Sequence, residues 1–310
     1  MDELARKAAE LSGRFNLGVR TEKLSSLSAM GTGGRALVVE AETLAELAEL
    51  LKIHRLNDWP YLVVGGASNI LFPDEDVSFS VLRLTGTFAA LKSSGSEILA
   101  GAGCSTAKVL ALSEKAGLSG LEMTAGLPGT LGGAVRGNAG SAATGAAELA
   151  SSLEMLDADG RALRLGPGDF QIGYRSLALP TELAGGIITS LRLSLIPSSP
   201  QKVKEDSSRV LAARRANQPR ERSLGCVFKN PPGDSAGRLI DQCGLKGVKS
   251  GGAMISPKHA NFIVNVGGAS SRDVLALADR AADEVKVRFG HDLELEIKTA
   301  NKRGLFIKRL

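Results

Sequence analysis

The chain has 310 residues, 43% of them hydrophobic and 23% charged, with a formal net charge of +5. Such a length holds two or three buried cores, and the composition is that of a globular protein, not a disordered or fibrous one. No run of about 18 apolar residues occurs, which argues against a membrane span, and aromatics at 4% offer few stacking platforms for nucleic acid. The N-terminus carries a charge every few residues (Asp2, Glu3, Arg6, Lys7, Glu10), which predicts a short amphipathic helix rather than a signal peptide and points to the cytoplasm. The three cysteines, Cys104, Cys226 and Cys243, have no metal-type spacing, so neither a disulfide framework nor a metal site is expected.

In chain order, residues 36–40 read as a strand. Thr43 and Glu46 form a capping box for a helix over 44–55 that carries Leu44, Leu47 and Leu51 at helical spacing. A second strand spans 61–64 and ends in Gly65-Gly66-Ala67-Ser68-Asn69. Residues 98–100 form a strand, Ser105 caps a helix over 106–116, and Gly117 stops it. Ala158-Asp159-Gly160 predicts a hairpin between 153–157 and 161–165, and 187–195 is another strand. Ile196 to Pro200 marks a boundary. Beyond it come a charged helix near 202–216, a strand at Gly225, a helix from Ser235 to Cys243, a strand over 262–266, a helix over 271–288 and a strand over 293–297.

Three glycine-rich clusters fall at 65–66, 101–103 and 126–140, and a fourth at 251–252. Glycine lets backbone amides approach a ligand closely, and successive amides make anion-binding concavities. The first three favour a large phosphate-containing ligand. None fits GxGxxG with an acidic residue about 20 positions on, so a Rossmann dinucleotide site is not supported. Further on, Gly225-Cys-Val-Phe-Lys-Asn-Pro231 and Lys258-His-Ala-Asn-Phe262 set a thiol, an ammonium, amides and an imidazole among strand-forming residues. The basic stretch from Lys202 to Arg222 reads either as a solvated helix face, which takes in Arg214 and Arg215, or as a field for an anionic ligand. Gly233-Asp-Ser-Ala-Gly237 fits GxSxG, but no strand precedes it, and Ser235 serves better as a helix cap.

These motifs, with Gly33-Gly-Arg-Ala36, Ala125-Gly-Leu-Pro-Gly-Thr-Leu-Gly-Gly-Ala134, Asn138-Ala-Gly140, Gly173-Tyr-Arg-Ser176, Gln218-Pro219, Ala236-Gly237 and Leu293-Glu-Leu-Glu296, resemble the UDP-N-acetylenolpyruvoylglucosamine reductase family in register over about residues 25–298. The compact C-terminal part resembles its shorter subtype. The resemblance implies an α+β fold with a two-part FAD-binding domain of the vanillyl-alcohol-oxidase (PCMH) type and a C-terminal α+β substrate-binding domain. The units expected are 1–24 (lead-in), 25–75 and 76–200 (FAD-binding subdomains) and 201–310 (substrate domain).

It also implies FAD as cofactor, NADPH as co-substrate, a UDP-sugar substrate and peptidoglycan precursor synthesis, with no nucleic-acid or membrane partner, no metal and a monomeric chain. Cofactor contacts fall on Gly65, Gly66, Ala67, Ser68, Asn69, Gly126, Pro128, Gly129, Thr130, Gly132, Gly133, Asn138 and Gly140. Substrate contacts fall on Tyr174, Lys229, Asn230, His259 and Asn261; for His259 and Asn261 the alternative is to orient neighbouring residues, and for His259 also a satisfied core or loop histidine. Arg175 matches the position that polarises the substrate carboxylate, and Glu296 matches the acidic partner. Cys226 stands where the family usually has a serine proton donor; a small buried apolar residue is the alternative. Relatives usually carry Ala-Tyr-Gly where this chain has Ser141-Ala-Ala-Thr-Gly145, so a tyrosine contact is expected to be missing. An FAD-linked oxidase would share the loops but has no need of Cys226, Lys229 and Glu296.

Overall fold

The computed structural model describes residues 3–14, 18–141, 144–183, 185–304 and 306–307; Ala142 and Ala143, in the loop expected to lack a tyrosine, lie outside them. The first sheet takes the strands Gly18–Lys23, Arg35–Ala41, Ser80–Leu84 and Tyr61–Val63 in that spatial order. Arg35–Ala41 and Tyr61–Val63 both run parallel to Ser80–Leu84, which separates them. The strand–helix–strand unit expected from sequence is therefore split by a later strand. Its helix, Leu44–Leu56, has the expected Thr43–Glu46 capping box. The helix buries Leu47, Leu50 and Leu51, whereas Leu44 is exposed. Helix Glu3–Arg14 is present as expected and buries Leu4 and Leu11 in the core of this sheet.

The second sheet is antiparallel, in the order Ala162–Leu165, Ala150–Leu156, Ile187–Ser194, Glu97–Gly101, Leu91–Ser94. Helix Thr106–Ala116 covers it, capped by the Ser105 hydroxyl and ended by Gly117 at φ 65°. Helix Pro200–Asn217 packs beside that helix, with Val210 and Leu211 against the core of the second sheet.

The C-terminal antiparallel sheet runs Arg222–Cys226, Phe262–Asn265, Ala253–Ile255, Lys249–Ser250, with helix Ser271–Phe289 on one face. Its core also takes Met30 and Leu71 from the N-terminal part. A strand over 293–297 does not form. Only a single Phe228–Leu295 bridge occurs there, and sheet pairing resumes at Lys298–Ala300, parallel to Ile70–Leu71. The cause is local: the Val227 carbonyl accepts from both Glu296 N (2.8 Å) and Ile297 N (3.4 Å), which breaks the regular ladder spacing. Overall this is the expected α+β architecture, with two sheets in the part expected to bind FAD and a C-terminal α+β unit. Among the described residues no helix is long and apolar enough to cross a membrane.

Candidate active site

The glycine loops meet back to back. A Cβ on Gly65 would lie 2.2 Å from Thr130 Oγ1, and one on Gly66 would lie 2.6 Å from Gly129 Cα, so only glycine permits the approach. Gly132 seats in the same way on Ala102, at 2.7 Å from its Cβ. Ser68 Oγ donates to Pro128 O at 3.4 Å, Ala67 adopts φ 46°, and Thr130 caps the short Leu131–Arg136 helix. Gly66, Gly126, Pro128 and Gly133 stay exposed, and neither 65–69 nor 125–134 contains a charged side chain. The result is an uncharged strip of accessible backbone, which suits the phosphates and flat rings of FAD. Asn138, buried at φ 42°, ties the next loop together. Its Nδ2 donates to Gly173 O (3.0 Å), and its Oδ1 accepts from Ala147 N (3.0 Å). Gly140 lies against Thr144 O. The fourth cluster, Gly251 and Gly252, packs on Asp273 and on 267–269, away from these loops.

Arg175 sits at the tip of the hairpin Gln171–Gly173/Ser176–Ala178, in a two-residue turn with Tyr174. Its φ is 54°, a left-handed conformation that costs a non-glycine residue roughly 1–2 kcal/mol. Offsetting this, the guanidinium donates to Asn138 O (3.4 Å), Ser141 O (3.4 Å) and Gly140 O (3.3 Å). Arg175 Nε also lies 3.0 Å from Glu296 Oε1, with both side chains about a fifth exposed. The Nε–H is not aimed at the carboxylate, so this is a charge contact rather than an aligned hydrogen bond. Tyr174, 45% exposed, has its ring face 5.3 Å from the Arg175 guanidinium carbon.

Cys226 arrives from the C-terminal sheet. Gly225, at φ 80°, precedes it, and the register slips between Ser223 and Cys226, a bulge that re-aims the side chain. The surroundings of the partly open thiol are dense enough that desolvation, with the Glu296 carboxylate beside it, pushes it up to about 12 against the pull of Arg175 and Arg214. The thiol thus keeps its proton at neutral pH. Burial likewise pushes the Glu296 carboxyl upward, opposed by Arg175, Lys229 and Lys298. Asn69 Nδ2 donates to Glu296 O (3.2 Å), and Lys298 N donates to Asn69 O (2.9 Å), so the loop after the first glycine pair holds the segment bearing Glu296.

Lys229 pairs with Glu294 at 2.7 Å. Asn230 turns its Oδ1 to Ala236 N (3.1 Å), at the start of helix Ala236–Gln242. His259 and Asn261 bond to neighbouring protein groups. His259 Nδ1 accepts from Asn261 N (3.2 Å), its ring is 4.9 Å from that of Phe262, and burial lowers its pKa. Both ends of the Asn261 amide are taken by the main chain of Phe228. Ser235, the GxSxG serine, caps helix Ala236–Gln242.

Arg214, which the sequence placed on a solvated face, lies within electrostatic reach of Arg175 and Cys226. It is half-buried, donates to Met123 O at 2.7 Å, and has its pKa lowered by burial and then by Arg175, while Cys226 feels its charge. A signal existed: Val203, Ser207, Val210 and Arg214 share one helix stripe, and the first three face inward.

An uncharged loop strip beside a cation, a carboxyl and a thiol fits an FAD-dependent oxidoreductase. An FAD-binding domain profile matches residues 35–166, and the UDP-N-acetylenolpyruvoylglucosamine reductase C-terminal domain profile matches residues 218–300. A UDP-N-acetylenolpyruvoylglucosamine reductase of Symbiobacterium thermophilum is 41% identical over 90% of this chain and 91% of its own length. One from Thermus thermophilus is 41% identical over 88% and 97%. The crystal structure of the Thermus caldophilus reductase superposes with a TM-score of 0.80 at 39% identity, covering 91% of this chain and 99% of that one. The chain belongs to the UDP-N-acetylenolpyruvoylglucosamine reductase family.

Proposed function

We propose that this chain, acting as a cytoplasmic monomer, uses NADPH to reduce UDP-N-acetylglucosamine enolpyruvate to UDP-N-acetylmuramate for peptidoglycan synthesis. The observation that carries this reading is the convergence of Arg175, Cys226 and Glu296, from three separate elements, beside the glycine loops. The 65–69, 126–133 and 138–140 loops would hold FAD, which when bound would supply the hydride chemistry between NADPH and C3 of the enolpyruvyl group.

Reduction at C3 leaves negative charge at C2 and on the adjoining carboxylate of the substrate. Arg175, fixed by three carbonyls, offers a preorganised cation to that carboxylate, so little reorganisation is needed as charge builds. Cys226 retains its S–H and donates the proton to C2 as general acid. Glu296 stands within electrostatic reach of the thiol, and its carboxylate helps hold the proton on the sulfur until C2 takes it. Lys229 and Arg214 supply positive charge for the diphosphate, Tyr174 and Asn230 flank the sugar, and His259 and Asn261 back the site.

The test is anaerobic incubation of the FAD-loaded chain with NADPH and the enolpyruvyl substrate, followed by mass spectrometry. The expected product is two hydrogens heavier than the substrate, with one NADPH consumed per product. NADPH consumption that requires oxygen and leaves the substrate unchanged would instead make the protein an oxidase-like relative.

A further inference from the structure

Phe228 lies two residues beyond Cys226, where the ladder to the neighbouring strand has ended at the Cys226–Phe262 pair. On that side the buried Phe228 peptide has no strand to pair with, and an unpaired buried N–H or C=O costs about 1–3 kcal/mol. Asn261 fills the gap with its side chain. Oδ1 accepts from Phe228 N at 2.9 Å, Nδ2 donates to Phe228 O at 2.8 Å, and the Asn261 main-chain carbonyl accepts from Val227 N at 2.8 Å.

Asn261 is 3% exposed, and its primary amide presents a donor and an acceptor side by side, as a peptide group does. Aspartate lacks the donor and leucine lacks both. On the opposite edge, Val227 O accepts from Glu296 N (2.8 Å), and Lys229 N donates to Glu294 O (2.8 Å). The Val227-Phe228 dipeptide is thereby clamped between Asn261 and the 294–296 segment, with Cys226 at one end and Lys229 at the other.

We propose that Asn261 is a positioning residue, standing in for a missing β-strand so that the Cys226 thiol and Glu296 are held in register. The inference rests on the reading of Cys226 as the proton donor. It revises the expectation that Asn261 contacts substrate, since its amide is already engaged.

The test uses the FAD-loaded chain carrying Cys104→Ala and Cys243→Ala, with Asn261→Leu and Asn261→Asp added separately. Two quantities are read: the pH dependence of Cys226 alkylation by iodoacetamide, and the two half-reactions by stopped flow. The account expects flavin bleaching by NADPH to change less than about threefold while recovery with the enolpyruvyl substrate slows roughly 100-fold, as misplacement by about 1 Å can cause. It also expects the alkylation midpoint to fall by about one pH unit as the thiol is released from its buried setting.

A folded, FAD-bound Asn261→Leu chain with parental alkylation and recovery would overturn the proposal. So would equal slowing of both half-reactions with unchanged alkylation, the mark of a general structural role. If the leucine chain does not fold, the aspartate chain decides, since it keeps the acceptor for Phe228 N–H. Failure of the parent itself to recover on substrate would sink the functional reading, while the alkylation comparison would still judge Asn261.

Discussion

Two enclosed cysteines sit in contrasting regions. Cys104 lies in the core of the second sheet, 1% exposed, its thiol donating to Ala90 O at 3.2 Å, and burial raises its pKa. Cys226 is also raised mainly by burial, but Glu296, Arg175 and Arg214 act on it as well. Desolvation alone therefore does not mark a working thiol. What separates the two regions is fixed charge of both signs around one sulfur and open surface beside it.

The contrast breaks first at substitution of each cysteine. Cys226→Ala should lower steady-state turnover by about 10²–10⁴-fold, the usual worth of a positioned general acid. Cys104→Ala should leave turnover within about threefold and cost roughly 1 kcal/mol of stability by denaturant melt. Arg175→Ala comes next: flavin recovery on substrate should slow about 100-fold, with bleaching by NADPH much less affected. If recovery holds, Arg175 is only a brace for the 138–141 carbonyls.

Smaller effects sharpen the picture. Gly65→Ala puts a methyl 2.2 Å from Thr130 Oγ1 and should cost roughly 1–3 kcal/mol, seen as a lower Tm and weaker FAD retention on a desalting column. A further test is a pH effect. The Cys226 thiol rises from 9.0 unfolded to about 12 folded, so the folded state binds the proton more tightly between those values. Its contribution to stability is complete below pH 9.0 and is lost as pH climbs toward about 12. Cys226→Ala should flatten that part of the stability–pH curve relative to the parent chain.

Much of this was legible in sequence because it was local. The Thr43–Glu46 box, the Ser105 cap and the Gly117 stop each act within one helical turn, and the structure has all three. The loops at 65–69 and 126–133 announced themselves by glycine content. What stayed hidden depends on contacts distant in the chain. Ser80–Leu84 enters between two strands that the sequence presented as one unit. The expected strand at 293–297 gives way to shared bonds on the Val227 carbonyl. Arg214 carries the same side chain as its exposed neighbour Arg215, and only the inward stripe of its helix tells them apart. The amide of Asn261 looked free to grip a ligand until its pairing with Phe228 was seen.

The central claim is that the side chain at position 226 delivers a proton in the second half-reaction only. Double-mixing stopped flow, anaerobic and at the flavin's visible band, tests it on the parent chain, Cys226→Ser and Cys226→Ala. The account predicts equal bleaching by NADPH in all three, with recovery on the enolpyruvyl substrate kept in the parent and the serine chain and lost in the alanine chain. Recovery at the parental rate in Cys226→Ala would contradict it and leave Cys226 a packing residue.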